Sequence, residues 1–84
     1  MPSAYVLINC DLGSEESIIK EIAGLEGVKE VKGTYGVYDI ISKVESNNME
    51  ALKDTITWKI RRMPKVRSTV TLIVIEGQLS LIHI

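Results

Sequence analysis

Two periods of apolar residues run along the chain. Residues 4–10, "AYVLINC", are short, apolar and β-branched at Val6 and Ile8, which predicts a strand. "DLGS" interrupts it. Ser14 then stands as a candidate N-cap, with Glu15 and Glu16 in a first turn where the helix dipole favours carboxylates. Ile18, Ile19, Ile22 and Leu25 follow at helical spacing, and Gly24 and Gly27 bracket the end, so a helix is predicted over 14–25. "VKEVKGT" reads as a second strand, "YGV" as a turn, and "YDIISKVE" as a third strand. Asn47 or Asn48 can start the next helix. Met49, Leu52, Ile56, Ile60 and Met63 recur at three- and four-residue steps, predicting an amphipathic helix over about 48–62 that Pro64 ends. "VRSTVTLIVIE" is a long final strand.

The order β-α-β, β-α-β is the split β-α-β pattern of an α+β, ferredoxin-like fold: a four-stranded antiparallel sheet with both helices on one face. A sheet with one wet face should alternate apolar and polar residues. In "TLIVI", however, Leu72 and Val74 oppose Ile73 and Ile75. In "YVLI", Val6 and Ile8 oppose Tyr5 and Leu7. Both faces must then be dry over much of the sheet, and the helices dry only one. A second copy packed sheet to sheet, as a two-fold dimeric sandwich or barrel, is the simplest cover. Ile73 and Ile75 are the candidate interface residues. Trp58 joins them: it is two residues from Ile56, about 200° around the helix, and so faces away from the core.

The 84 residues make one small domain over 1–76, followed by an apolar tail, 77–84, of unassigned role. With 45% hydrophobic residues, so small a chain invites self-association. Ten basic and eleven acidic residues leave a net charge of −1, which does not suggest a nucleic-acid binder. The charges are uneven: residues 1–52 hold four basic and nine acidic residues, whereas 53–84 hold six basic and two acidic. The basic set is read as the solvated end of the second helix. One cysteine, Cys10, excludes an internal disulfide and fits a reducing cytoplasm. The N-terminus shows no signal-peptide pattern, and no apolar run approaches a membrane span.

Candidate chemistry is sparse. His83, the only histidine, has no ligand-spaced partner, so no metal site or cofactor is expected. Cys10 has no histidine near it in sequence and reads as a core or rim residue. Gly33 and Gly36 are not a phosphate loop. "GTYGVYDII" is the stretch that asks for an explanation, because it sets Tyr38 and Asp39 at the mouth of a buried strand. A carboxylate there needs a partner. Asp39 is either a turn residue bonded to the backbone of "TYG" or the receiver of a ligand's ammonium group.

Three pieces in order resemble the effector-binding (RAM) domain of the Lrp/AsnC transcriptional regulators, across residues 3–76. They are the opening "AYVLINCDLGSEESIIKEIAGLEGVKEV", the G-x-Y-D element as Gly36, Tyr38 and Asp39, and a closing T-x-T-x-I-V as Thr69, Thr71, Ile73 and Val74. The resemblance implies the ferredoxin-like fold, the face-to-face dimer and assembly into larger rings, commonly octamers. It also implies that an amino acid or similar small metabolite binds between dimers. Carried over, Gly36, Tyr38, Asp39, Thr69 and Thr71 form the candidate ligand site. Family regulators carry an N-terminal helix-turn-helix. The first strand begins here at about residue 4, so the expectation is a stand-alone module without direct DNA binding, acting alone or by mixed assembly with full-length regulators. The competing readings are a dimeric α+β barrel enzyme, an ACT-like amino-acid-binding module and a purely structural oligomer. A non-enzymatic, cytoplasmic, non-membrane sensor is the leading one.

Overall fold

The computed structural model describes residues 1–75; the 77–84 tail and His83 lie outside them. Seven elements follow the expected order. They are β1 (Ser3–Cys10), α1 (Glu15–Ala23), β2 (Val28–Gly33), β3 (Ile40–Glu45), α2 (Met49–Asp54), a π-helical segment (Thr55–Ile60) that continues α2, and β4 (Val66–Ile73). The four strands form one antiparallel sheet in the order β2-β3-β1-β4. This is the ferredoxin-like architecture.

Burial alternates strictly along β1 and β3. Ala4, Val6, Ile8 and Cys10 join Ile40 and Val44 in one core with Ile18 and Ile22 of α1 and with Leu52, Ile56, Ile60 and Met63 beyond. Each fully buried Ile or Leu contributes roughly 1.5–3 kcal/mol relative to exposure. Because both helical elements pack on the same alternate set of strand residues, both lie on one face of the sheet. Ser42 sits in that core too, and its hydroxyl has no partner among the described residues.

The second helix departs from a plain α-helix for a reason visible in its spacing. Leu52, Ile56 and Ile60 are separated by four and four residues. At 3.6 residues per turn, the last would drift about 80° from the first. The Arg61 N–H instead donates to Ile56 O at 2.9 Å, an i→i+5 bond. That wider turn takes back the drift, and all three side chains are buried. Asn48 caps the start: its side-chain oxygen accepts the Ala51 N–H at 2.8 Å. Ser14 precedes α1 as expected but makes no side-chain cap bond. The C-terminal Gly24 keeps a right-handed φ of −83°, so it is not the left-handed terminator the sequence suggested.

The open face is apolar along only part of its width. Residues paired across neighbouring antiparallel strands share a face. Tyr5↔Leu72, Leu7↔Val70 and Leu7↔Ile41 therefore lie together opposite the helices. Toward β2 the same face carries the Lys43–Glu45 and Lys32–Glu30 ion pairs, at 3.8 and 3.4 Å. Lys43 Nζ also lies 5.8 Å from the Tyr5 ring centroid.

Candidate functional site

Residues 34–39 connect β2 to β3, and local sequence chemistry shapes the turn. The Thr34 N–H donates to Asp39 O at 2.8 Å, and Thr34 Oγ1 donates to Tyr38 O at 2.7 Å. One threonine thus closes the hairpin that the "TYG" sequence opens. Gly36 stands at the tip with φ +128°, where an added Cβ would meet only open space. Tyr35 and Val37 project fully into solvent on either side of it.

Asp39 does not continue the strand. β3 begins at Ile40, two residues later than the strand pattern predicts. The Asp39 N–H donates to Ile8 O at 2.9 Å, and Asp39 Oδ2 accepts the Cys10 N–H at 3.0 Å. The carboxylate thus takes the place of a backbone acceptor where β3 leaves the ladder, tying the end of β1. The partner is Cys10 rather than the "TYG" backbone. A carboxylate offers about four acceptor positions, and the Cys10 N–H fills one. Capacity for a ligand's donor is left over. Burial pushes the Cys10 thiol above its ordinary 9.0, and the Asp39, Glu15 and Asp11 carboxylates push it further. Cys10 is therefore held as a neutral thiol.

Thr69 and Thr71 sit on β4 opposite Ile8 and Val6. Ile8 also pairs with Ile40, next to Asp39, so β1 runs between the aspartate and the threonines. Two strand spacings separate them, roughly 10 Å. In a single chain, Gly36, Tyr38 and Asp39 stand at the hairpin end of the sheet, Thr69 lies across β1 from them, and Thr71 lies further along β4 opposite Val6. The described clefts lie elsewhere. One, about 280 Å³, lies between α1 and Met63–Lys65, and another, about 350 Å³, lies at the far end of the sheet.

Ile73 pairs with Ala4 and so lies on the helix side of β4, 38% exposed where the helices leave that edge uncovered. On this strand the residues facing the open side are Val70 and Leu72. Ile75 follows the strand and is exposed. Trp58 is 59% exposed, with the Arg62 guanidinium 4.9 Å from its ring centroid. The sequence reading overlooked Leu12, which is fully exposed in the loop that follows β1, two residues after Cys10. Its signal was an apolar residue between Asp11 and Gly13 in a turn. Among the described residues, no three His, Cys, Asp or Glu side chains gather as metal ligands, and no helix is long and apolar enough to cross a membrane.

Comparison with known proteins agrees with the fold. The family described as the Lrp/AsnC ligand binding domain matches residues 3–78. An HTH-type transcriptional regulator of Pyrococcus furiosus is 34% identical over 74 residues, covering 84% of this chain and 49% of the regulator. The chain spans about half the length of the curated regulators it matches. A homocitrate synthase of Sulfolobus acidocaldarius is also 34% identical over 74 residues, but the matched stretch is only 16% of that enzyme. Among solved structures, FFRP-DM1 superposes with a TM-score of 0.87 at 37% identity, covering 89% of this chain and 100% of that one. A protein of Pyrococcus horikoshii superposes with a TM-score of 0.86 at 36% identity, covering 93% and 94%. The chain belongs to the Lrp/AsnC ligand-binding domain family.

Proposed function

We propose that this chain is a self-assembling sensor module that binds an amino acid or a similar small polar metabolite between copies, at the hairpin end of the sheet. The observation that carries the reading is the surface around Asp39. A half-buried carboxylate with spare acceptor capacity joins the hairpin that exposes Tyr35 and Val37 to the end of β1, whose following loop exposes Leu12. Such exposure on a monomer marks a surface that another molecule covers. One chain's threonines stand about two strands away from its aspartate. A site using both takes the aspartate from one copy and the threonines from another. Asp39 receives the ammonium group, and the backbone near Gly36 with Thr69 or Thr71 receives the carboxylate. Pairing through the open face, along Tyr5, Leu7, Ile41, Val70 and Leu72, builds the dimer from which larger rings such as octamers grow. Mixed assembly with full-length regulators of the family uses the same surfaces. A module similar to stretches of both regulators and a biosynthetic enzyme suits ligand sensing better than catalysis.

The test begins with a thermal-shift screen of the proteinogenic amino acids, since a ligand of the native state raises its stability by mass action. Calorimetry then compares wild type with Asp39→Asn. Asparagine keeps an oxygen for the Cys10 N–H and removes the charge, so the fold persists. A charge-assisted hydrogen bond contributes roughly 1.5–3 kcal/mol, so affinity should fall about ten- to a hundredfold. Equal affinities in the two proteins would remove Asp39 from the site.

A further inference from the structure

At the end of the sheet opposite the hairpin lies a polar cleft of about 350 Å³. Its walls are the turn before β2, the loop after β3, and the outer stripe of the second helix. Two lysines, Lys29 and Lys59, line it, together with Met1, Ser46, Asn47, Thr55 and one acidic residue, Glu26. Neither lysine has a carboxylate within 4 Å among the described residues, whereas Lys20, Lys32 and Lys43 each do.

Two backbone features shape this cleft. Thr55 and Lys59 belong to the π-helical segment, and Ala51 precedes them on the same wall. In a regular α-helix, Lys59 would stand about 80° around from Ala51. The wider turn brings it back into line, and Lys59 lines the cleft with Ala51 and Thr55. A π-segment is rare and often marks a functional position. The opposite wall is Gly27, at φ +91°, where a Cβ would lie 2.5 Å from Glu45 O. The chain at Gly27 is thereby held tight against the end of β3, which fixes the turn that carries Glu26 and Lys29.

We infer that this cleft is a second small-molecule site, separate from the hairpin-end site, and that it takes a compact dianion: a phosphate monoester or a dicarboxylate. Two cations with three neutral hydrogen-bonding side chains complement such a group, and Glu26 opposes it. The cleft lies on the helix-side rim, away from the open sheet face, so pairing through that face leaves it accessible.

The experiment is an amide NMR titration of the whole chain at constant ionic strength, with inorganic phosphate in one series and succinate in another. Saturable shifts centred on Lys29, Asn47, Thr55 and Lys59 are expected, and whichever anion saturates first assigns the group. In so open a site, Lys29→Gln and Lys59→Gln should each weaken binding about two- to fivefold. Glu26→Gln should strengthen it by a similar factor, while Lys32→Gln, on the other face, should leave it unchanged. Shifts spread without saturation over all surface lysines, or one affinity across all four variants, would overturn the inference. A failure here leaves the hairpin-end reading untouched, because the amino-acid screen reports on different residues.

Discussion

Gly27 and Gly36 both have positive φ, +91° and +128°, yet they carry different constraints. At Gly27 a methyl group would lie 2.5 Å from Glu45 O, and Gly27 O itself accepts the Glu45 N–H at 2.8 Å. The backbone there can neither turn over nor move away. At Gly36 nothing lies within 4 Å. Gly27→Ala should therefore destabilise by about 3 kcal/mol or more, from backbone strain and overlap together. Gly36→Ala should destabilise less, by about 1–3 kcal/mol, from backbone strain alone. Urea denaturation of both variants checks the order, and comparable losses would contradict the geometry. The same distinction explains why Asp39 was half legible in the sequence. Its place at a strand mouth and its need for a partner follow from "YDII". That the partner is the Cys10 N–H, 29 residues away, depends on the strand register, which no local pattern encodes.

Among the elements, β1 and β3 were legible as short apolar, β-branched runs bounded by turn residues, and the helical stripes because Ile and Leu recur at helical spacing. The π-segment was written in the four-four spacing of Leu52, Ile56 and Ile60. A helical stripe tolerates that spacing equally well, so the pattern alone did not force the wider turn. β4 shows a different limit. "TLIVI" is apolar on both faces, and only its pairing with β1 decides that Leu72 faces the open side and Ile73 the helices. The interface residue to test is thus Leu72, which is 52% exposed in the monomer. Leu72→Lys should leave the melting profile of the isolated chain nearly intact and shift the species seen by light scattering from dimer or larger to monomer. An unchanged mass would remove the open face from the assembly.

For the whole molecule, both helical elements of the described residues are committed to the sheet, and none is free to enter a groove of duplex DNA. With a net charge of −1 there is little counterion release to drive binding. A mobility-shift assay at physiological salt should show no sequence-dependent complex with this chain alone. The separation of Asp39 from Thr69 across β1 has a further consequence for how such a molecule reports on its surroundings. A receptor complete within one chain responds to ligand concentration alone. A receptor completed by a neighbour responds to the product of ligand concentration and its own abundance, because each bound ligand also draws copies together. Apparent affinity measured near the assembly midpoint should therefore tighten as protein concentration rises, and a constant value would place the whole site within one copy. If the proposed shared site holds, the number of copies in the cell becomes part of the signal, and raising or lowering expression would retune the response without a change to any residue.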